Sequence, residues 1–366
     1  MLLVVNSGSS SVKLAVFDGM ELRAQAQVEE IGSTGPTDHA AALTLGLERL
    51  AVPAAQLQAA AHRVVHGGAG LTQTCRITPE VQARIEACAG LAPLHNPPAL
   101  AGIRAVAQLW PALPQYAAFD TAFHATNPQV ATAYALPLAE RERGLRRYGF
   151  HGLSDAAVVR IVQETGSNGL PRRMLSFHLG NGASACAILD GRSVASSMGF
   201  SPLDGLTMGT RPGNLDPAVV LDLVARHGAE AAGQMLNRAS GLKALGGSND
   251  MRALHAAGTP EAAFAIDHFC YWAARHGASL CAALGGLDAI TFTGGIGEND
   301  ALIRSKIVNQ LAFLGAVLDG EANARGGDQA LHAVVSRVAI WVIPADEERQ
   351  IAIEARAVID QEEGLR

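Results

Sequence analysis

The chain has 366 residues, a length that suggests about two domains, either of which is large enough to bury a core. Hydrophobic residues make up 49% of the sequence and charged residues 17%, a balance that is typical of a globular protein and excludes a disordered chain. The formal net charge is -6 and no block of basic residues is present, which argues against a general nucleic-acid-binding protein.

The first predicted element is a hairpin. A short apolar strand, a turn of small polar side chains and a second apolar run cover residues 2–17 and end at the turn signal Asp18-Gly19. The pattern returns at an offset of 172 residues, so that Gly8 corresponds to Gly180. Two similar hairpins, each starting about half of the chain, predict a duplicated domain; the alternative is a chance match, since such patterns are common.

The rest of the chain alternates between helical and strand-like hydrophobic patterns. Helical periodicity covers residues 79–89, 98–109, 217–227, 262–284, 301–314 and 347–360. Strand-like runs cover residues 116–119, 289–293 and 338–343. Residues 140–147 are strongly charged and are predicted to form a surface linker. Strands that alternate with helices predict an α/β architecture.

The cellular compartment is predicted from what the sequence lacks. No stretch approaches the roughly 18 uninterrupted apolar residues of a membrane span, and the first six residues do not resemble a signal peptide. The five cysteines contain no C-x-x-C pair and are interpreted as small buried residues in a reducing compartment. We therefore expect a soluble cytoplasmic protein that binds neither nucleic acid nor membrane.

The familiar phosphate-binding motifs are absent from the sequence. Three turns rich in Gly and Ser instead follow predicted strands, at residues 6–11, 180–182 and 293–299. Such turns let backbone N–H groups approach anionic oxygens closely, and Lys13 adds a positive charge just beyond the first of them. Each turn alone could be an ordinary tight turn, but three in one chain favour an anion site.

Two charged side chains occupy unusual positions. Arg63 lies between apolar residues just before a pair of glycines, where an unpaired charge is costly. It either clamps a carboxylate or phosphate or forms a structural ion pair with an internal acid, and the segment alone leaves both open. Asp120 lies at a predicted strand end, where ligand-binding residues of α/β folds concentrate. It could orient an Arg, bind a metal or handle a proton, or merely cap the next element.

Three further side chains are candidates for phosphoryl chemistry. His151 lies near two glycines and could donate to a developing oxyanion, although a structural His is the commoner outcome. Arg211 lies in a loop before a predicted helix, a setting that suits either a mobile Arg that contacts a phosphoryl group or a solvated Arg. Glu347 begins the last predicted helix, where it could hold Mg²⁺ or stabilise the helix dipole.

Ten stretches in chain order resemble those of the acetate kinase family, within the larger group that shares the actin and sugar-kinase fold. They are residues 6–13, 62–68, 91–98, 120–124, 148–152, 178–182, 209–217, 250–252, 295–299 and 346–348. The resemblance implies an α/β, duplicated actin-like (ribonuclease H-like) fold of two domains with a cleft between them. The first domain would comprise residues 1–146 and 348–366, and the second residues 147–347.

The resemblance also implies an activity and a set of site residues. The reaction would be the reversible transfer of a phosphoryl group from ATP to acetate, giving ADP and acetyl phosphate, in a homodimer that uses Mg²⁺, with Mn²⁺ as the alternative. Asn6 and Glu347 would place the metal ion. Arg63 would bind the substrate carboxylate, and an apolar pocket for the methyl group would be formed by Val65, Leu94, Phe150 and Pro202. The catalytic residues would be Asp120, His151 and Arg211. The ATP-binding residues would be Lys13, His178, Leu179, Gly180, Asn181, Gly182, Asp250, Met251, Arg252, Gly295, Ile296, Gly297, Glu298 and Asn299.

The family assigns Asp120 a role in proton transfer, but the chemistry favours another role. The attacking carboxylate has an ordinary pKa of about 4, so it is already ionised at neutral pH and needs no general base. We therefore expect Asp120 to orient Arg63 or a metal-bound water.

The chain departs from the family in two places, and two other functions are open. The stretch between the first hairpin and His62 is short, and residues 242–249 are unusual and could alter the choice of phosphate donor. A kinase for propionate or another short-chain acid is the first alternative, since one methylene changes binding by only about 1–3 kcal/mol. A non-catalytic nucleotide-binding regulator is the second, and the intact candidate catalytic residues argue against it.

Overall fold

The computed structural model describes residues 1–8, 11–32, 34–166, 169–327 and 330–364. Ser9 and Ser10, which belong to the first predicted turn, lie outside these residues. The chain divides into two compact units: the first comprises residues 1–125, 151–157 and 346–366, and the second residues 126–150 and 158–345. The predicted first domain ran to residue 146, whereas this division groups residues 126–146 with the second unit. The domain boundaries themselves stay a prediction.

The first unit contains a six-stranded sheet with the strand order β3-β2-β1-β4-β6-β5. The strands are β1 (Leu2–Ser7), β2 (Val12–Asp18), β3 (Glu21–Val28), β4 (Ala59–Val64), β5 (Cys75–Arg76) and β6 (Gln115–Phe119). Strands β1, β4 and β6 are parallel neighbours, and β1, β2 and β3 form an antiparallel meander. The predicted hairpin is therefore confirmed as β1 and β2.

The second unit contains a five-stranded sheet with the strand order β9-β8-β7-β10-β11. The strands are β7 (Arg173–Leu179), β8 (Ala183–Leu189), β9 (Arg192–Ser196), β10 (Ala289–Thr293) and β11 (Ala339–Val342). Strands β7, β8 and β9 are an antiparallel meander, and β7, β10 and β11 are parallel. The five strands repeat the order and directions of β3-β2-β1-β4-β6, which confirms the predicted duplication.

Fifteen α-helices are assigned within the described residues. They are α1 (His39–Leu50), α2 (Pro79–Ala87), α3 (Asn96–Leu109), α4 (Gln129–Thr132), α5 (Leu138–Glu142), α6 (Gly152–Thr165), α7 (Pro217–His227), α8 (Ala229–Arg238), α9 (Gly241–Gly246), α10 (Met251–Ala257), α11 (Pro260–Leu284), α12 (Gly294–Asn299), α13 (Ala301–Gln310), α14 (Gly320–Arg325) and α15 (Glu347–Gly364). Residues 294–299 were predicted as a turn and form α12 instead. All six predicted helices are present, but the one predicted over residues 301–314 ends early, at Gln310, and α1 and α6 were not predicted. None of the helices searched is both long and apolar enough to cross a membrane.

Helices cover both faces of the first sheet. Alternating side chains of β1 point to opposite faces, so Leu2 and Val4 pack with Ile351 of α15, whereas Leu3 and Val5 pack with Leu43 of α1. Because β1 is buried on both faces, it is an apolar run without alternation. The polar residues at the ends of such central strands therefore stand out as candidates for function.

Candidate active site

The carboxyl ends of three parallel strands bring predicted site residues together in the first unit. Asn6 lies near the end of β1, Arg63 near the end of β4, and Asp120 directly after β6. The registers of β1 with β4 and of β4 with β6 place these ends at one edge of the sheet. This is the edge at which open α/β sheets bind ligands.

Arg63 is the centre of this cluster. Its Nε lies 3.0 Å from Asp120 Oδ1 and its Nη2 lies 2.7 Å from Asp120 Oδ2, a bidentate ion pair. Its Nη1 lies 3.2 Å from Asn6 Oδ1 and 3.3 Å from Glu347 Oε2. Of the two interpretations of Arg63, the ion pair with an internal acid is therefore present in this structure. Nη1 is directed to Asn6 and Glu347.

Electrostatics hold both partners of the ion pair in their charged forms at neutral pH. Burial raises the pKa of Asp120 to about 6, against the opposing effect of the Arg63 charge and hydrogen bonds. Burial lowers the pKa of Arg63, but Asp120 and Glu347 raise it by more, so it lies above its ordinary value. Asp120 is 1% exposed, and it is therefore a carboxylate that loses its charge in mildly acidic solution.

Glu348 is a member of the cluster that sequence reasoning did not assign to the site. The Nδ2 of Asn6 donates to Glu348 Oε1 over 2.9 Å. Because this bond fixes the orientation of the amide, Asn6 Oδ1 points to the same Arg63 Nη1 as Glu347 Oε2. Amide and carboxylate oxygens are the protein ligands that Mg²⁺ prefers, so Asn6 and Glu347 fit the ion. The signals for Glu348 in the sequence were its position next to Glu347 and its place in the stretch 346–348 that resembles the acetate kinase family.

His151 is held beside Asp120 by the main chain. The N–H of Gly152 donates to the carbonyl of Asp120 over 2.9 Å, and a Cβ at Gly152 would lie 2.2 Å from that oxygen, so only Gly fits. His151 has a φ of 58°, and Asp346, just before Glu347, has a φ of 37°. Such strain in residues other than Gly concentrates at functional sites, which motivates a functional role for His151.

Three other predicted residues of the first unit are Lys13, Val65 and Leu94. Lys13 is exposed and pairs with Asn6 across the β1–β2 hairpin. It lines a cavity of about 370 Å³ together with Asp346 and Glu348. Val65, just after β4, is buried, and Leu94 is partly buried.

Eight of the fourteen residues predicted to bind ATP line one cavity in the second unit. The cavity has a volume of about 680 Å³, which is within the range of small-molecule sites. It is lined by Gly180, Asn181, Asn249, Asp250, Met251, Arg252, His255, Gly295, Ile296, Asn299 and Asp300. Three segments that were singled out separately in the sequence therefore meet around one space. His178, Leu179 and Gly182 flank the first segment, and Gly297 lies within α12.

Glycine permits the close approach of two main-chain segments at this cavity. Gly294 has a φ of 79°, and a Cβ there would lie 2.8 Å from the carbonyl oxygen of Leu179. The Oε1 of Glu298 accepts hydrogen bonds from the N–H of Gly294, over 2.9 Å, and of Ala345, over 3.0 Å. This carboxylate therefore holds the main chain, and its predicted contact with ATP stays a prediction.

Arg211 is a partly buried cation of the second unit. Its Nη1 donates to the carbonyl oxygen of Pro202 over 2.7 Å, and burial lowers its pKa to about 10. No ion pair joins it to a carboxylate in the part of the chain that the structure describes. Such a cation suits an anionic ligand. The apolar pocket predicted from Val65, Leu94, Phe150 and Pro202 involves residues of both units and stays a prediction.

Comparison with known proteins identifies the family. The model of the acetokinase family matches residues 22–353. The acetate kinase of Rhodopseudomonas palustris is 44% identical over an aligned length of 384 residues. The alignment covers 96% of this chain and 96% of that protein.

This chain belongs to the acetokinase family.

Solved structures agree with this membership and confirm the predicted α/β, actin-like fold class. The crystal structure of Porphyromonas gingivalis acetate kinase is similar, with a TM-score of 0.88, 35% identity and coverage of 98% of this chain and 99% of that chain. A propionate kinase from Francisella tularensis has a TM-score of 0.88 and 35% identity and covers 96% of this chain and 98% of that chain.

In this member of the acetokinase family, Arg304 is a buried residue that sequence reasoning missed. It is 1% exposed. Its Nη1 donates to the carbonyl oxygens of Gly297 and Glu298, over 2.9 Å each. Its Nε and Nη2 donate to the side chain and carbonyl of Asn323, over 2.8 and 2.9 Å. The guanidinium therefore fixes the last turn of α12, but its sequence context is that of an ordinary helical Arg.

We expect Arg304→Met to destabilise the protein by about 3 kcal/mol, because it leaves several buried acceptors without a donor. A fall in Tm of roughly 5 °C in a thermal melt would correspond to that loss. The control is Arg325→Met, which removes an exposed Arg of α14 that forms an ion pair with Glu321 at 3.8 Å. Equal melting temperatures for the two variants would contradict the assignment of Arg304 as a structural donor.

Proposed function

We propose that this member of the acetokinase family catalyses the reversible transfer of the γ-phosphoryl group of ATP to acetate, which gives acetyl phosphate and ADP. The observation that carries this proposal is the cluster of Arg63 with Asp120, Asn6 and Glu347. It combines a guanidinium that can bind a carboxylate with oxygen ligands that suit Mg²⁺. The cavity formed around Gly180, Asp250 and Gly295 in the second unit takes ATP.

The main task of the protein in this reaction is to hold two anions close to each other. The carboxylate oxygen attacks the γ-phosphorus in line, through a loose transition state with charge on the equatorial oxygens. Arg63 binds the acetate carboxylate, and Asp120 keeps the guanidinium in one orientation. His151 and Arg211 donate to the phosphoryl oxygens as negative charge develops there. Asn6 and Glu347 hold Mg²⁺, which neutralises phosphate charge when it is bound.

Acetate is the acid that we propose, and propionate is the alternative. Val65 and Phe150 are apolar and buried, as the methyl group requires. A similar solved structure is a propionate kinase, and one methylene in an apolar pocket is worth only about 1–3 kcal/mol. The choice between the two acids therefore depends on a direct comparison of rates.

Trapping of the acyl phosphate as its hydroxamate tests the proposal. With ATP and Mg²⁺, we expect kcat/KM to be highest for acetate, lower for propionate and lowest for butyrate. Arg211→Ala should lower the rate by about 10³-fold, since it removes a cation from the transferring group. A higher kcat/KM for propionate would overturn the choice of acid. Bound ATP without any acyl phosphate would support the non-catalytic regulator instead.

A homodimer in the cytoplasm is also part of the proposal. Helix α7 contains no buried residue, although Val219, Leu221 and Val224 are apolar and 37–70% exposed. Exposed apolar side chains grouped on one helix are typical of a surface that another chain covers, and a second copy is the proposed partner. Light scattering should give twice the mass of one chain, and a monomer would contradict this. The five free thiols support a reducing compartment.

A further inference from the structure

Two polar contacts join segments that line the cavity of the second unit. One segment comprises residues 249–255, which include the start of α10, and another comprises residues 295–300 around α12. Asn249 Nδ2 donates to Asn181 Oδ1 over 3.3 Å, a weak contact. His255 Nε2 lies 2.6 Å from Asp300 Oδ2, a short one. The stronger contact therefore involves a His that the proposed function has not yet used.

Asp300 offers a fixed acceptor to this His. Its Oδ1 accepts hydrogen bonds from the backbone N–H groups of Leu302 and Ile303, at 3.1 Å each, and so caps the N-terminus of α13. Its Oδ2 is directed to His255. An ionised carboxylate can only accept, so the His255 Nε2 carries the hydrogen. The bond is charge-assisted, which makes it stronger than a bond between neutral groups.

The position of helix α10 depends on its contacts with the rest of the second unit. It has seven residues, of which Met251 and Leu254 are buried, and it ends at Gly258, which has a φ of 62°. A helix of this length is marginal on its own, so contacts with the rest of the unit determine where it lies. His255 in its last turn is joined to Asp300, and therefore to α13, and both residues line the cavity.

We propose that His255 is a positioning residue for the nucleotide. Its bond to Asp300 holds α10, and with it Met251 and Arg252, at the distance from α12 that the bound nucleotide requires. This inference rests on the proposed function, in which the cavity takes ATP. It adds a residue outside the three segments that the sequence predicted to bind ATP, and it assigns a purpose to the cap of α13.

Two substitutions of His255 separate the hydrogen bond from the ring. His255→Phe keeps the ring and removes the donor, whereas His255→Gln keeps a donor that can reach Asp300. We expect His255→Phe to raise the KM for ATP, and the dissociation constant of ATP measured by calorimetry, by about tenfold. The KM for acetate should stay within twofold, and His255→Gln should recover most of the affinity. A rise in the KM for ATP without a rise in the KM for acetate distinguishes positioning of the nucleotide from a general loss of structure.

Lys306→Met is the matched control. Lys306 of α13 pairs with Asp267 of α11 at 2.7 Å, so its loss also breaks an ion pair between helices of this unit, but neither residue lines the cavity. We expect its affinity for ATP to be unchanged. Unchanged ATP affinity in His255→Phe, or an equal loss in Lys306→Met, would overturn the proposal. If the unaltered protein bound ATP but formed no acyl phosphate, the proposed function would fail, and calorimetry would still decide the role of His255.

Discussion

Arg63→Gln lowers kcat/KM for acetate by about 10³-fold, as we expect for the loss of a fixed cation in a phosphoryl-transfer site. In the proposed mechanism the guanidinium cancels repulsion between the carboxylate and the phosphoryl group, and Gln carries no charge. Its loss also leaves Asp120, which is 1% exposed, without its bidentate partner. Arg63→Lys keeps the charge but cannot reproduce two parallel hydrogen bonds, so we expect it to restore only a small part of the activity.

Initial rates from the hydroxamate assay, measured against the acetate concentration, give this result directly. Arg76→Gln is the control, because Arg76 lies on β5 of the same sheet and pairs with Glu362 at 3.3 Å, with 42% of its side chain exposed. Exposed ion pairs contribute little, so the activity of this variant should stay within twofold. The affinity for ATP should survive in Arg63→Gln. A loss smaller than tenfold in kcat/KM would show that Arg63 is only a structural partner of Asp120.

Local chemistry explains which parts of the fold the sequence could predict. Thr78 directly precedes the predicted helix over residues 79–89 and is a residue type typical of helix N-caps; its side chain accepts from the N–H of Val81 over 3.3 Å at the start of α2. The turn signal Asp18-Gly19 ends β2 as expected. These features depend on residues a few positions apart, so a single sequence contains all the information. The duplicated hairpin was predictable for the same reason, since each copy is a local pattern.

The partners of the site residues could not be predicted, because they lie far away along the chain. Asn6 binds Glu348, 342 residues later, and Arg304 binds the main chain of α12 and Asn323 of α14. A sequence shows the type of a side chain but not its partner, so Arg63 could be interpreted in two ways. Charge alone also did not reveal the local structure of residues 140–147, which were predicted to form a surface linker. Leu138–Glu142 forms α5, and Arg147 pairs with Asp204 at 2.8 Å within the second unit. The linker role stays a prediction.

Asp120→Asn is expected to remove the acidic limb of the pH–rate profile and to lower kcat about 10²-fold at pH 7.5. Burial raises the pKa of Asp120 to about 6, so in the unaltered protein this carboxylate is protonated as the pH falls through 6 and no longer orients Arg63. Activity should therefore fall below this pH. Asn cannot titrate, so its low activity should not change there. The terminal phosphate of ATP titrates near pH 6 as well, which makes the comparison between the two proteins essential.

Stability and isotope effects distinguish orientation of Arg63 from proton transfer by Asp120. Folding raises the pKa of Asp120, so the protonated carboxyl group contributes stability to the folded protein. This contribution is lost as the pH rises through about 6 and the group ionises. Because Asp120→Asn also takes the carboxylate partner from Arg63, its Tm at pH 7.5 is measured beside that of the unaltered protein, and a folded variant at the assay temperature shows that its low activity does not come from unfolding. Because the acetate carboxylate has no proton to lose, we expect kcat of the unaltered protein to be nearly equal in H₂O and D₂O. A large solvent isotope effect that disappears in Asp120→Asn would establish proton transfer and refute orientation as the main role.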